Sequence, residues 1–270
     1  MTATQEPLAG SRPALLQHRS FVAYWCARTA TNGAYQMQAV AVGWQIYELT
    51  GSAFDLGLVG LVQFFPVVVL GIVVGHMADR YDRRIVVGTC QVIKALAAAA
   101  FAVGTIGGFL SRDTMLAILF VSGTARAFET PTMHTLVPGV VPPQLLPRAI
   151  AASATASQTA TICGPAIGGL MYAFGAATVY LTCTAIFVLA SALISLIVLR
   201  GTPPEKKPVT METLFAGFSY IRHNRVVLGA ISLDLFAMLL GGVTALLPVY
   251  AKDVLVAGPW GLGLLRSAPA

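Results

Sequence analysis

Residues 75–84 read Gly-His-Met-Ala-Asp-Arg-Tyr-Asp-Arg-Arg, a decapeptide that places five charges between two long apolar runs. A charged side chain at the centre of a bilayer costs roughly 2.5 to 3.5 kcal/mol on insertion scales, so five of them cannot lie in hydrocarbon. Both flanking runs must therefore reach water here. The decapeptide predicts a short loop between two membrane helices. The alternative is an ordinary positively charged loop that happens to carry an acid.

The composition places the rest of the chain in a membrane as well. Of the 270 residues, 56% are hydrophobic and only 10% are charged, against about 25% charged in an average soluble domain. A spanning helix needs about 20 mostly apolar residues. The sequence predicts an all-α polytopic membrane protein with spans near residues 21–49, 54–77, 85–107, 114–141, 149–174, 178–199 and 226–250, and the beginning of another helix after Pro259.

Charge and proline content divide the chain into four segments. We expect a tail at residues 1–20, a six-helix transmembrane bundle at 21–199, a hydrophilic linker at 200–225 and the start of a second bundle at 226–270. Residues 211–221 of the linker have the spacing of an amphipathic surface helix, whereas its proline-rich part fits a flexible linker equally well. Lysine and arginine concentrate in alternate loops, which predicts a cytoplasmic amino terminus in a bacterial inner (plasma) membrane. The net charge of +6 thus reports orientation rather than nucleic-acid binding.

Polar residues on the first and third spans predict a pathway through the bundle. Arg28, Asn32 and Gln36 recur at four-residue intervals and share one helix face, with Tyr35 beside them. Since lipid cannot satisfy an arginine, this face must turn inward. Arg28 then needs a carboxylate partner or a water-filled cavity, or it snorkels to the cytoplasmic surface. Lys94 lies about ten residues into the third span, near mid-membrane by the helical rise.

Acidic residues in the spans are candidates for proton coupling. Arg126 and Glu129 are three residues apart on the fourth span, which predicts an intrahelical ion pair. That pair either reorganises when substrate or a proton arrives or is static and supports packing. Asp234 on the seventh span is a second protonatable candidate. His134 is interpreted as a hydrogen-bonded packing residue.

The fifth span carries a packing motif. Gly164, Pro165, Gly168 and Gly169 place small residues at four-residue spacing, a pattern that lets helices approach closely. The alternative is generic small-residue packing without a specific role.

Several kinds of site have no motif in the sequence. It contains no phosphate-binding Gly-x-x-x-x-Gly-Lys-Ser/Thr loop, no His-Glu-x-x-His, no Gly-x-Ser-x-Gly and no Cys/His ligand cluster. The four cysteines lie in apolar runs and are interpreted as small buried hydrophobes. We therefore expect no cofactor, no metal and no ATP, and the sequence argues against an enzyme.

Two motifs resemble the major facilitator superfamily. Gly75, Asp79, Arg80, Arg83 and Arg84 match the pattern G-x-x-x-D-R-x-x-R-R of its loop between the second and third helices. The fifth-span motif resembles the G-x-x-x-G-P-x-x-G-G of drug-exporting members, with Ala160 in place of the first glycine. Residues 43–52, 65–66 and 247–253 look like the enterobactin-exporter-like branch.

This resemblance implies both a fold and a function. The fold would be the six-helix amino-terminal half of a major facilitator plus the start of the second half. The function would be proton-driven efflux, an antiport in which two halves rock around a central site. In the family the acid at Asp79 and its arginines latch one side by engaging an eleventh helix, which this chain lacks. We therefore expect an incomplete chain, a truncated gene or two assembling copies. The alternative function is a non-transporting membrane regulator or assembly partner derived from a transporter.

Overall fold

The computed structural model describes residues 15–199, 223–224, 226–230, 232–233 and 242–268, with residues 72–80 and 242–243 described by their backbone alone. Most of the predicted linker, including its surface helix, and Asp234 lie outside these ranges. The regular structure in the described part is helical throughout. The long helices are α1 (Arg19–Thr50), α2 (Ala53–Arg80), α3 (Arg83–Ile106), α4 (Arg112–Val140), α5 (Leu146–Tyr172) and α6 (Ala176–Ser195).

A second group of helical turns follows at residues 242–268. A 3-10 helix at Gly242–Leu246, one α-helical turn at Leu247–Val249 and a π-helix at Tyr250–Val254 run without a break. Helix α7 then covers Pro259–Ser267, which confirms the helix predicted to begin there. Proline suits this first helical position because the backbone N–H it lacks would have no intrahelical partner there.

The connection between α2 and α3 is shorter than the charged decapeptide suggested. Helix α2 continues through the decapeptide to Arg80, and α3 begins at Arg83. The loop is therefore two residues long, because a helix can extend beyond its apolar run once it reaches water. Asp82 caps α3: its side chain accepts a hydrogen bond from the backbone N–H of Arg84 at 2.9 Å.

Helix α1 is the central element of the bundle. It packs against α5 and α6, while α3 packs against α6 and α4, and α2 lies on α4. One apolar core surrounds the stacked rings of Phe101 and Tyr180, and a second surrounds Tyr24 and Leu136. Helix α1 contributes residues 34–47 to the first core and residues 21–27 to the second. The stretch of α1 between them includes Arg28, Thr31 and Asn32, which line the cavity described below.

Three described helices are long and apolar enough to cross a membrane, namely Ala53–Gly71, Arg83–Ile106 and Ala176–Ser195. They belong to α2, α3 and α6. The other long helices, α1, α4 and α5, carry more polar residues, and all three contribute side chains to the cavity described below. Large apolar side chains are exposed on the outer faces of α2, α3 and α6: Phe64, Phe65, Val92, Leu96, Val188 and Leu189. Such a surface suits lipid rather than water.

Candidate functional site

A buried ion pair lies where α1, α3, α4 and α6 meet. The Lys94 Nζ atom is 2.7 Å from the Glu129 Oε2 atom, and the two side chains are only 2% and 6% exposed. The Lys94 ammonium also lies over the Phe187 ring, 4.5 Å from its centroid. Removing one partner of such a pair would strand the other charge in a medium that cannot solvate it.

Gln91 completes the coordination of the carboxylate. Its side-chain nitrogen donates to Glu129 Oε1 at 2.7 Å and to the Thr31 hydroxyl at 2.8 Å. Both oxygens of Glu129 are therefore engaged by α3, and Gln91 ties that contact to α1. Gln91 was not predicted, although a signal was present: it lies three residues before Lys94 and so shares its helix face.

The predicted intrahelical pair between Arg126 and Glu129 is wrong. Glu129 reaches across to Lys94, and Arg126 instead stacks on Tyr35, with its Cζ atom 3.5 Å from the ring centroid. The Tyr35 hydroxyl in turn donates to Gln63 on α2 at 2.8 Å. One guanidinium nitrogen of Arg126 is buried without a hydrogen-bond partner among the described residues. A spacing of three residues permits an ion pair with Arg126, but the Glu129 carboxylate binds Lys94 of α3 instead.

Arg28 and Asn32 bind α5 through neutral groups. Arg28 donates to the Ser157 hydroxyl at 3.2 Å and to the Tyr24 hydroxyl at 2.7 Å, and it lies 3.5 Å from His134 Nδ1. Asn32 donates to the Ser157 carbonyl at 2.8 Å and to the Thr161 hydroxyl at 2.9 Å. Arg28 thus lines polar space among uncharged partners, as the cavity interpretation required.

These groups surround a cavity of about 180 Å³. A space of that size holds several water molecules or part of a small organic molecule. Five predicted pathway residues line it: Arg28, Asn32, Lys94, Arg126 and Glu129. The lining residues not predicted for the pathway are Thr31, Tyr35, Thr130, Met133, His134 and Ser157. His134 was interpreted as a packing residue, and the structure adds it to the cavity wall.

Gln36 does not share this cavity. It lies against α5, where a Cβ atom built on Gly164 would be 2.7 Å from the Gln36 Cβ atom. Four-residue spacing placed it on the face of Arg28 and Asn32, but α5 crosses that face and covers its far end. Gln36 therefore contacts α5, and its place on the pathway stays a prediction.

The glycine motif of α5 contacts two helices. A Cβ atom on Gly168 would lie 2.7 Å from the Met37 Cα atom of α1, and one on Gly169 would lie 2.6 Å from the Pro259 carbonyl oxygen of α7. The Pro165 carbonyl would similarly meet a Cβ atom on Gly263 of α7 at 2.5 Å. The motif therefore allows α1 and α7 to approach the backbone of α5 closely.

The arginines after the α2–α3 loop bind backbone carbonyls. Arg83 donates to the Thr135 carbonyl on α4 at 3.0 Å, and Arg84 donates to the Ile197 carbonyl after α6 at 2.9 Å. Arg84 also forms an ion pair with Asp82 at 2.9 Å. Its hydrogen bonds hold the pKa of the Asp82 carboxyl below the usual value. Gly75, Asp79 and Arg80 are described by their backbone alone.

Known proteins of the same kind support the fold. A sequence model of the transmembrane secretion effector family matches residues 10–269. The chain belongs to this family of the major facilitator superfamily. A solved structure of a bacterial homologue of the human lysosomal transporter Spinster, inward-facing and unoccupied, aligns with a TM-score of 0.75. That alignment has 15% sequence identity and covers 96% of this chain and 60% of the other. The predicted all-α major facilitator fold is confirmed.

Two curated proteins illustrate what this chain resembles in sequence. Macrolide efflux protein A of Streptococcus pyogenes is 26% identical over 253 residues, which cover 86% of this chain and 59% of that protein. Enterobactin exporter EntS of Escherichia coli is 27% identical over 248 residues, covering 88% and 58%. The chain spans about three fifths of the length of these relatives. It is a multi-pass helical membrane protein.

Three of the four cysteines are at least partly buried. Cys90 and Cys183 are buried and Cys26 is half-buried, whereas Cys163 on α5 is exposed. The interpretation of every cysteine as a buried hydrophobe is therefore wrong for Cys163. Its apolar run predicted a membrane environment, but that environment includes the outer surface of the bundle.

Proposed function

We propose that this protein is a secondary active transporter that exports a small molecule across the plasma membrane by alternating access and is driven by protons. The observation that carries the proposal is the Lys94–Glu129 ion pair in the wall of a polar cavity. The names of the relatives, a macrolide efflux protein and an enterobactin exporter, supply the first compounds to test. Neither ATP nor a cofactor enters this scheme.

The position of Glu129 suits it to couple a proton to helix movement. Its carboxylate on α4 contacts Lys94 and Gln91 on α3, Gln91 contacts Thr31 on α1, and Lys94 lies over Phe187 on α6. Protonation would remove the negative charge and with it the ion pair. One proton would then loosen contacts that join four helices. A buried pair next to water-sized space can change state in this way, whereas a pair sealed on all sides cannot exchange its proton.

The charged motif at the α2–α3 loop and the glycine motif of α5 would open and close the two sides of the bundle. We assign the gating role to Gly75, Asp79, Arg80, Arg83 and Arg84, on the cytoplasmic side predicted from the loop charges. The bonds of Arg83 and Arg84 to carbonyls of α4 and of the segment after α6 support it, because breaking them would free that end of the bundle. The close approach of α5 to α7 would keep the other passage shut.

Gradient-driven transport by the purified chain in liposomes tests the proposal. Vesicles loaded at one pH and diluted into another should accumulate labelled macrolide or labelled enterobactin, and protein-free vesicles should not. The variant Glu129→Gln should abolish accumulation because its amide cannot take up a proton. Glu48→Gln is the matched control, since Glu48 also accepts two side-chain hydrogen bonds, from Trp44 and Tyr172, but does not line the cavity.

Two results would count against this function. Equal accumulation by wild type and Glu129→Gln would remove the coupling role from this carboxylate. Absence of accumulation for both compounds, from a chain that is folded by circular dichroism, would favour the non-transporting regulator or assembly partner.

A further inference from the structure

The contact between Gln91 and Glu129 can be made in two chemically distinct ways. The two polar atoms are 2.7 Å apart, which requires one proton between them. When Glu129 is a carboxylate, that proton must belong to the amide nitrogen of Gln91. When Glu129 is protonated, Lys94 still donates to Oε2, so the proton belongs on Oε1. That O–H then supplies the proton of the contact, and Gln91 presents its carbonyl oxygen. The orientation of the amide is thus tied to the charge of the acid.

The second contact of Gln91 permits the same reversal. Thr31 now accepts from the Gln91 nitrogen at 2.8 Å. A hydroxyl group can donate as well as accept, so it can serve either face of the amide. The terminal torsion of glutamine is broad and roughly two-fold, and a half-turn exchanges nitrogen and oxygen with little movement of other atoms. Both neighbours of Gln91 therefore accept from it in one state and can donate to it in the other.

The present state leaves one atom unused. Gln91 is fully buried, and its side-chain oxygen has no hydrogen-bond partner among the described residues. A buried acceptor without a partner carries a desolvation penalty. After a half-turn this oxygen would accept from both Glu129 and Thr31, while the amide hydrogens would take the unpartnered side. Each orientation leaves one side of the buried amide without a partner, so the charge of Glu129 decides which orientation satisfies the contact.

We propose that Gln91 is a positioning residue for proton coupling, whose side-chain amide turns over when Glu129 gains a proton. This inference rests on the proposed proton-coupled function. The step is balanced: a proton from the cavity binds Glu129 Oε1, the amide rotates by half a turn, and the Thr31 hydroxyl changes from acceptor to donor. No bond within the protein is broken apart from hydrogen bonds and the ion pair to Lys94.

Other titratable groups also face Glu129. Lys94 and Cys90 lie on α3, Arg126 lies one turn earlier on α4, and Arg28 and His134 reach the same cavity. Their charges act on Glu129 whatever the orientation of the amide. A test of Gln91 therefore needs a readout of the amide itself besides a titration.

Infrared difference spectroscopy of the full chain in lipid provides both readouts. Glutamine labelled with a heavy isotope in its side-chain carbonyl group reports the amide, and the band of a protonated carboxyl group reports Glu129, provided that Glu129→Gln removes it. We expect the amide band that Gln91→Met removes to shift in step with the carboxyl band. We also expect Gln91→Met to displace the pH midpoint of the carboxyl band measurably, because a hydrogen-bond donor to the carboxylate is lost.

Gln45→Met is the matched control. Gln45 also makes two side-chain hydrogen bonds, to Thr105 and from Tyr180, and within the described residues neither partner is an acid. Gln45→Met should leave the pH midpoint of the Glu129 carboxyl band unchanged. The melting temperature of each variant shows whether that variant is folded.

An amide band that stays fixed while the carboxyl band titrates would overturn the inference and leave proton coupling by Glu129 intact. A midpoint equally unaffected by Gln91→Met and Gln45→Met would do the same. A wild-type chain with no titrating Glu129 band would overturn both the inference and the coupling role.

Discussion

Two ion pairs in this bundle have the same length and different surroundings. Lys94–Glu129 and Arg112–Asp55 both have nitrogen and oxygen atoms 2.7 Å apart. The lysine of the first pair is 2% exposed, whereas the arginine of the second is 41% exposed and lies at the start of α4. The first pair lines a cavity, and the second ties α4 to the first turn of α2. A short distance alone therefore does not distinguish a structural contact from a coupling site.

The difference follows from what surrounds each charge. Water can solvate Arg112 if its partner is removed, so this ion pair is a structural contact between the ends of two helices. Neither Lys94 nor Glu129 can find enough water where it lies. Removing one partner by mutation should therefore destabilise the fold strongly. Protonation of Glu129 would also leave the Lys94 charge unpaired, and neighbouring groups would have to move to accommodate it.

The largest effect should come from breaking the buried pair on one side. Glu129→Gln leaves Lys94 charged and unpaired, and we expect the free energy of unfolding to fall by about 3 to 5 kcal/mol. Titration with a denaturing detergent in mixed micelles measures it. The double variant Lys94→Met/Glu129→Gln should be less destabilised than the single one, since no stranded charge remains. A double variant that loses as much as the sum of the single losses would show that the two residues act independently.

A smaller loss of stability should follow when the Arg112–Asp55 pair at the start of α4 is broken. Asp55→Asn removes the charged partner of Arg112, whose side chain is 41% exposed. We expect a loss of about 1.5 kcal/mol, the scale of one charge-assisted hydrogen bond, because water can reach this end of the bundle. The same detergent titration applies. A loss equal to that of Glu129→Gln would erase the distinction between the two pairs.

The smallest effect should come from the exposed pair of Asp82 and Arg84. Asp82→Asn keeps an acceptor for the α3 cap but removes the charge, and we expect a loss below about 1 kcal/mol that disappears in high salt. Because the folded-state pKa of Asp82 is depressed, this contribution is present above the ordinary value of 3.8 and is lost as the pH falls through the lower folded value. A variant whose stability relative to wild type is the same on both sides of that window would contradict the assignment.

The sequence predicted which helices carry polar groups better than it predicted their partners. Arg28 and Asn32 followed from helical spacing, and Lys94 followed from its depth, because each of these arguments concerns a single helix. Glu129 was assigned to Arg126 by the same local rule, and the rule failed since α3 supplies both Lys94 and Gln91. Gln36 illustrates the same limit, because nothing in the sequence of α1 shows that α5 lies against it. Contacts between helices depend on crossing geometry, which one sequence does not contain.

The most direct test of the central claim compares two modes of transport in the same vesicles. Accumulation driven by a pH gradient requires proton coupling, whereas exchange of labelled for unlabelled macrolide or enterobactin requires only alternating access. We predict that Glu129→Gln abolishes gradient-driven accumulation and retains exchange, while Asp55→Asn retains both. Gradient-driven accumulation by Glu129→Gln at the wild-type rate would contradict the claim that this buried carboxylate carries the proton.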